Sequence, residues 1–145
     1  MSAKSSTIDT EMKAIKNVVL KTWAAWNSRN ADNGVKYFRN APKDMFFDYY
    51  PLRFDDFASY MAGTKQYLAT LSVQSINESD LFVERIGNTA WAVGTYTVDS
   101  QSKKGEKFHV DGGRYTGILI KQGQKWLVCH EHWSPPAMPI GLDSA

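Results

Sequence analysis

The chain has 145 residues, of which 43% are hydrophobic, 22% charged and 13% aromatic, with a formal net charge of +2. That length is enough for one domain with a real core, and the balance excludes a disordered chain. The charge is too small to argue for nucleic acid, and the one local basic run, Lys103, Lys104 and Lys107, falls in an expected turn. Cys129 is the only cysteine, so no intrachain disulfide can form. There is no 18-residue apolar run, and the first sixteen residues hold no apolar core of a secretion signal. A soluble, cytoplasmic protein without a membrane partner is the expectation.

In chain order, residues 1–6 are small and polar and are expected to fray. Ile8, Met12, Ile15, Val19, Trp23 and Trp26 then recur at steps of three and four, the stripe of an amphipathic helix ending near Asn27–Asn30. Asp32 offers an N-cap for a short second helix with Val35, Tyr37 and Phe38. Ala41-Pro42-Lys43 breaks it, and Met45 to Tyr50 reads as a strand stopped by Pro51. A third helix starts at Asp55 or Asp56 and carries Phe57, Tyr60, Met61, Thr64, Tyr67, Leu68 and Leu71 to a stop near Ser72.

The period then changes to two. Ile76–Ile86 and Thr89–Ser100 form strands around a Gly87-Asn88 turn, and Glu106–Gln122 and Lys125–Ser134 form a hairpin around Gly123. Gly112-Gly113 marks a bulge or sharp bend. Pro135-Pro136 ends the last strand, and Pro139 keeps residues 137–145 extended. Helices followed by strands on short connections indicate an α+β fold, with the helices on one face of a curved antiparallel sheet. Both sheet faces carry apolar residues, so the uncovered one calls for a second copy, a homodimer.

Strict alternation on the closing strand puts Trp126, Val128, His130, His132 and Ser134 on one face, and Leu127, Cys129, Glu131 and Trp133 on the other. The imidazole face, with Arg114 on the partner strand, reads as a pocket wall. Arg114 either forks onto a ligand or pairs with Asp48, Asp111 or Glu131. His130 and His132 can shuttle protons, pack as core histidines, or ligate a metal. A metal would need a third ligand that the sequence does not supply, so neither metal nor cofactor is expected. Asp48, after Met45-Phe46-Phe47, is either a base with a raised pKa or a turn cap. Trp23, Trp26, Tyr49, Tyr60 and Trp126 are candidate ligand contacts, with core packing as the alternative for each. Phosphate-binding loops, nucleophile elbows and zinc-ligand spacings do not occur.

The order of elements over residues 8–134 resembles the nuclear transport factor 2-like fold, a cone with a pocket between helices and sheet. Arg114-x-Thr116, then Gly123-x-x-Trp126-x-Val128-x-His130-x-His132-x-Ser134, is similar to the closing hairpin of SnoaL-like domains and of the calcium/calmodulin-dependent kinase II association domain. Phe47-Asp48-x-x-Pro51 matches the first-strand region of the same group. The resemblance implies a dimer through the sheets and a concave pocket for a small apolar or aromatic molecule. It also implies either cofactor-free isomerase, cyclase or dehydratase chemistry or a non-catalytic binding or assembly role. Asp48 matches the carboxylate that serves as base in the steroid-isomerase-like members; in an enzyme of this kind, His130 or His132 would be the acid or relay here and Arg114 would receive oxyanion charge.

Overall fold

The structure, a computed structural model, describes residues 2–49 and 51–136, with side chains from Thr10 onward. The expected extended tail from 137 lies outside the described residues. Helix α1 spans Ser2–Asn27, so it begins within the stretch 1–6 expected to fray. Its stripe is the expected one, with Ile15, Val19, Trp23 and Trp26 all buried. Arg29, at φ 62°, turns the chain out of the helix. Asn27 then holds Ile76 through both backbone groups, at 2.7 and 3.0 Å, which fixes the helix end to the sheet.

A short 3-10 helix follows over Ala31–Tyr37. Its cap is Asn30, whose side chain accepts from the Asp32 N–H at 3.1 Å, rather than Asp32 itself. Strand β1 is only Phe46–Phe47, and an unforeseen β2, Arg53–Phe54, pairs with it. Helix α2, Phe57–Ala69, starts where Asp56 accepts from the Ser59 N–H at 2.7 Å. Leu71 belongs to the next strand, not to this helix.

Four long strands complete the fold: β3 Leu71–Ile86, β4 Thr89–Ser102, β5 Lys107–Gln122 and β6 Lys125–Ser134. The sheet order is β2-β1-β6-β5-β4-β3. The chain is therefore α+β with a curved, unclosed six-stranded sheet. One correction applies to its antiparallel character, since β1 runs parallel to β6, with Phe47 beside His132.

Register shifts bend the sheet. Opposite Tyr96–Val98, strand β5 carries one extra residue where Gly112 has φ 74°, the bulge expected there. A second shift puts Ile118 opposite His130 and Leu119 opposite Val128, which leaves Cys129 as the extra residue on β6. This bulge inverts the alternation of the strand. Trp126 and Val128 face the core on one side of it, and Glu131 and Trp133 do so on the other.

The helix-covered face buries a ring cluster. Trp23 lies 5.2 Å from both Tyr115 and Trp133, and 6.0 Å from Tyr96. Each such ring contributes on the order of 1.5–3 kcal/mol through removal from water. The opposite face keeps Phe82 65%, Ile86 73% and Val93 40% exposed.

Candidate functional site

A cavity of about 400 Å³ opens between α1, α2 and the sheet. Trp26, Phe54, Tyr67, Leu68, Ile76 and Trp133 supply most of its apolar wall, and Asp48, Tyr49, Tyr60 and Gln74 its polar groups. The size and the few convergent polar atoms fit a small organic ligand.

Asp48 sits just after the two-residue β1, where the chain turns away from the sheet. Its carboxylate accepts from the Tyr49 N–H at 2.7 Å, and no cation pairs with it among the described residues. Burial against the apolar wall raises its pKa to about 6, opposed only by that backbone hydrogen bond. Tyr49 hydrogen-bonds hydroxyl to hydroxyl with Tyr96, and burial pushes its phenol up to about 12. Gln74 Oε1 is buried and has no hydrogen-bond partner among the described residues, an acceptor open to a ligand.

Behind this wall lies Glu131, 0% exposed. Its Oε1 accepts from the Tyr115 hydroxyl at 2.8 Å, and its Oε2 accepts from the Tyr60 hydroxyl at 2.8 Å and the Trp133 indole N–H at 3.2 Å. Burial raises its pKa to about 7 despite the three donors, with the Asp48 charge adding to the rise. Gly117, opposite Glu131 on β5, makes this geometry possible: a Cβ there would stand 2.4 Å from the Tyr115 hydroxyl. Gly117→Ala is accordingly expected to dislodge Tyr115 from Glu131 and to cost about 1–3 kcal/mol in denaturant unfolding, through overpacking and a lost buried hydrogen bond.

The structure thus brings Asp48, Tyr49, Tyr60 and Trp26 to one pocket, with Trp23 packed one layer behind through Trp133. The other expected contacts lie elsewhere. Arg114 is exposed on the outer face, across from Ser134 and Thr95. His132 is exposed opposite Thr116, and His130 is half-buried with Nδ1 2.7 Å from the Met45 carbonyl oxygen and its ring against Phe47. Trp126 is buried at the far end of the sheet, where its indole N–H donates to Glu11 at 2.7 Å. The expectation that Arg114, His130 and His132 face the pocket is therefore corrected, and the cause is the Cys129 bulge together with the sheet face that α1 covers. Glu131 and Gln74 were missed as site groups. A lone glutamate between the apolar residues of β6 was the signal available for the first. Among the described residues no three His, Cys, Asp or Glu side chains cluster as a metal site, and no helix is long and apolar enough to cross a membrane.

Residues 15–138 match the family of SnoaL-like domains. No curated protein matches the chain by sequence. Among solved structures, a nuclear transport factor 2-like superfamily protein from Salmonella enterica serovar Typhimurium is 18% identical with a TM-score of 0.81, over 95% of this chain and 98% of that one. A candidate scytalone dehydratase from Novosphingobium aromaticivorans is 13% identical with a TM-score of 0.80, over 94% and 97%. A candidate dehydratase of the nuclear transport factor 2-like family from Streptomyces avermitilis is 14% identical with a TM-score of 0.78, over 90% and 99%. At these identities the likeness shows the fold. With the family match across most of its length, the chain belongs to the SnoaL-like domain family.

Proposed function

We propose that this protein binds a small apolar or aromatic carbonyl compound and moves a proton on it without a cofactor, as in an isomerisation, cyclisation or dehydration. The observation that carries this reading is Asp48, a desolvated carboxylate in the wall of an apolar cavity that no cation among the described residues pairs with. A carboxylate titrating near 6 is ionised at neutral pH yet more basic than one in water, which suits removal of a proton beside a carbonyl. Trp26, Phe54 and Leu68 would hold the apolar body, and the Tyr60 hydroxyl would stand near the developing oxyanion. The names of the two dehydratase neighbours agree with this class of chemistry.

The test is deuterium wash-in at the carbon next to the carbonyl of neutral aromatic ketones in D2O, followed by NMR, for the wild type and Asp48→Asn. Exchange above the buffer rate that depends on Asp48 supports the reading. Ketone binding without exchange would instead make the protein a non-catalytic binder.

Arg114, His130 and His132 are assigned to a homodimer face rather than to the pocket. The motive is the exposed Phe82, Ile86 and Val93 on the sheet face opposite the helices. Light scattering at micromolar concentration is expected to give a mass near twice the chain's 16.4 kDa. A folded monomer would remove this assignment.

A further inference from the structure

Glu131 is a buried acid that the proposed chemistry leaves without a role. It draws donors from three elements, Tyr60 of α2, Tyr115 of β5 and Trp133 of its own strand. The β1–β2 turn faces it with Asp48, and α1 brings the uncharged Trp23 against Tyr115 and Trp133. Among the described residues no Lys, Arg or His pairs with it. Tyr60 belongs both to this cluster and to the pocket wall. The carboxyl group is thus one side chain behind the cavity.

When Glu131 is ionised it can only accept, so the Tyr60 hydrogen points at Oε2 and the phenol offers any ligand a lone pair. When Glu131 is protonated, its new O–H needs an acceptor, and the Tyr60 oxygen at 2.8 Å can serve. The Tyr60 hydrogen is then released toward the cavity. We propose that Glu131 is a positioning residue for this pocket, holding or releasing one proton and thereby deciding whether Tyr60 meets the ligand as a donor or as an acceptor. This rests on the proton-transfer reading above and extends it. Asp48 takes the C–H proton, Tyr60 gives its proton to the carbonyl oxygen, and Glu131 returns a proton to Tyr60. The product is the neutral enol, and the single negative charge has moved from Asp48 to Glu131. The repulsion between the two carboxylates keeps that one proton in the site near neutral pH.

The test uses 2-acetylnaphthalene, a neutral aromatic ketone that cannot itself titrate, in the Asp48→Asn protein, so that Asp48 does not contribute. Its affinity, read by fluorescence, is expected to weaken about three- to tenfold between about pH 5.5 and about pH 8.5, the worth of one hydrogen bond. Adding Tyr60→Phe is expected to abolish that dependence. Adding Glu131→Gln, which cannot take up or release a proton, is expected to make the affinity independent of pH. A folded Glu131→Gln protein that keeps the pH dependence, or a pH dependence that survives Tyr60→Phe, would overturn the proposal; if Glu131→Gln does not fold, the Tyr60→Phe comparison decides alone. A flat profile in Asp48→Asn, alongside Asp48-dependent deuterium exchange in the wild type, sinks this inference and spares the proton-transfer reading. No binding by the wild type at about millimolar ketone sinks both.

Discussion

Asp48→Asn is expected to lower the rate of deuterium exchange beside a bound carbonyl by about 10²–10⁴-fold, the usual contribution of a positioned general base. Asparagine keeps the shape and can still accept from the Tyr49 N–H, so the pocket wall should survive and ketone affinity should change little. What it removes is the basic oxygen. The magnitude follows from the surroundings of Asp48. A carboxylate paired with an arginine would be a weak base held below its ordinary pKa, but Arg114 is on the other face of the sheet. Among the described residues no cation opposes the desolvation by the cavity wall, and the carboxylate keeps its basicity. Measured exchange should therefore collapse while binding persists.

The second large effect is on stability. Glu131 has a folded pKa near 7, raised from 4.5, so between those values the native state holds a proton that the unfolded chain releases. Where the native state binds more protons, the free energy of unfolding falls as pH rises. From about pH 4.5 to about pH 7.5 the loss due to Glu131 is expected to be roughly 3 kcal/mol. Asp48, raised from 3.8 to about 6, acts in the same direction over a lower window. The carboxylates with lowered pKa values, Glu11, Asp56 and Asp80, act oppositely, and their stabilisation is lost only as pH falls through the acid range. Denaturant titrations should thus show a maximum at mildly acidic pH. Glu131→Gln, which keeps the shape without the buried charge, should be the more stable protein at about pH 8 and should flatten the slope. A wild type whose stability rises steadily to pH 8 would show that Glu131 is ionised without penalty.

Much of this fold was legible in the sequence because its signals are local. The Trp23 and Trp26 stripe, the glycine turns at Gly87 and Gly123 and the Gly112 bulge each follow from a spacing or from a residue that tolerates positive φ. Asp48 was legible for a similar reason, as a carboxylate closing an apolar run. The pocket's other half was not, and one residue explains why. Cys129 is an extra residue on β6 that no glycine or proline announces, and it shifts the alternation between Val128 and Glu131. Counting by twos then placed His130 and His132 on the pocket side and Glu131 on the other. Gln74 was hidden because β3 starts at Leu71, where the residue spacing still suits the preceding helix. Arg114 shows the same limit, since a packed row of neighbours says that a face is apolar without saying which layer covers it.

Asp48, in its ionised form, is expected to remove a proton from a ligand in this cavity. The pH profile of ketone deuterium exchange by the wild-type protein tests it most directly. The rate should rise with pH through a midpoint near 6, where Asp48 loses its proton, and that rise should be absent from Asp48→Asn. An exchange rate that rises in the same way in Asp48→Asn, or one that shows no rise near pH 6 in the wild type, would contradict it.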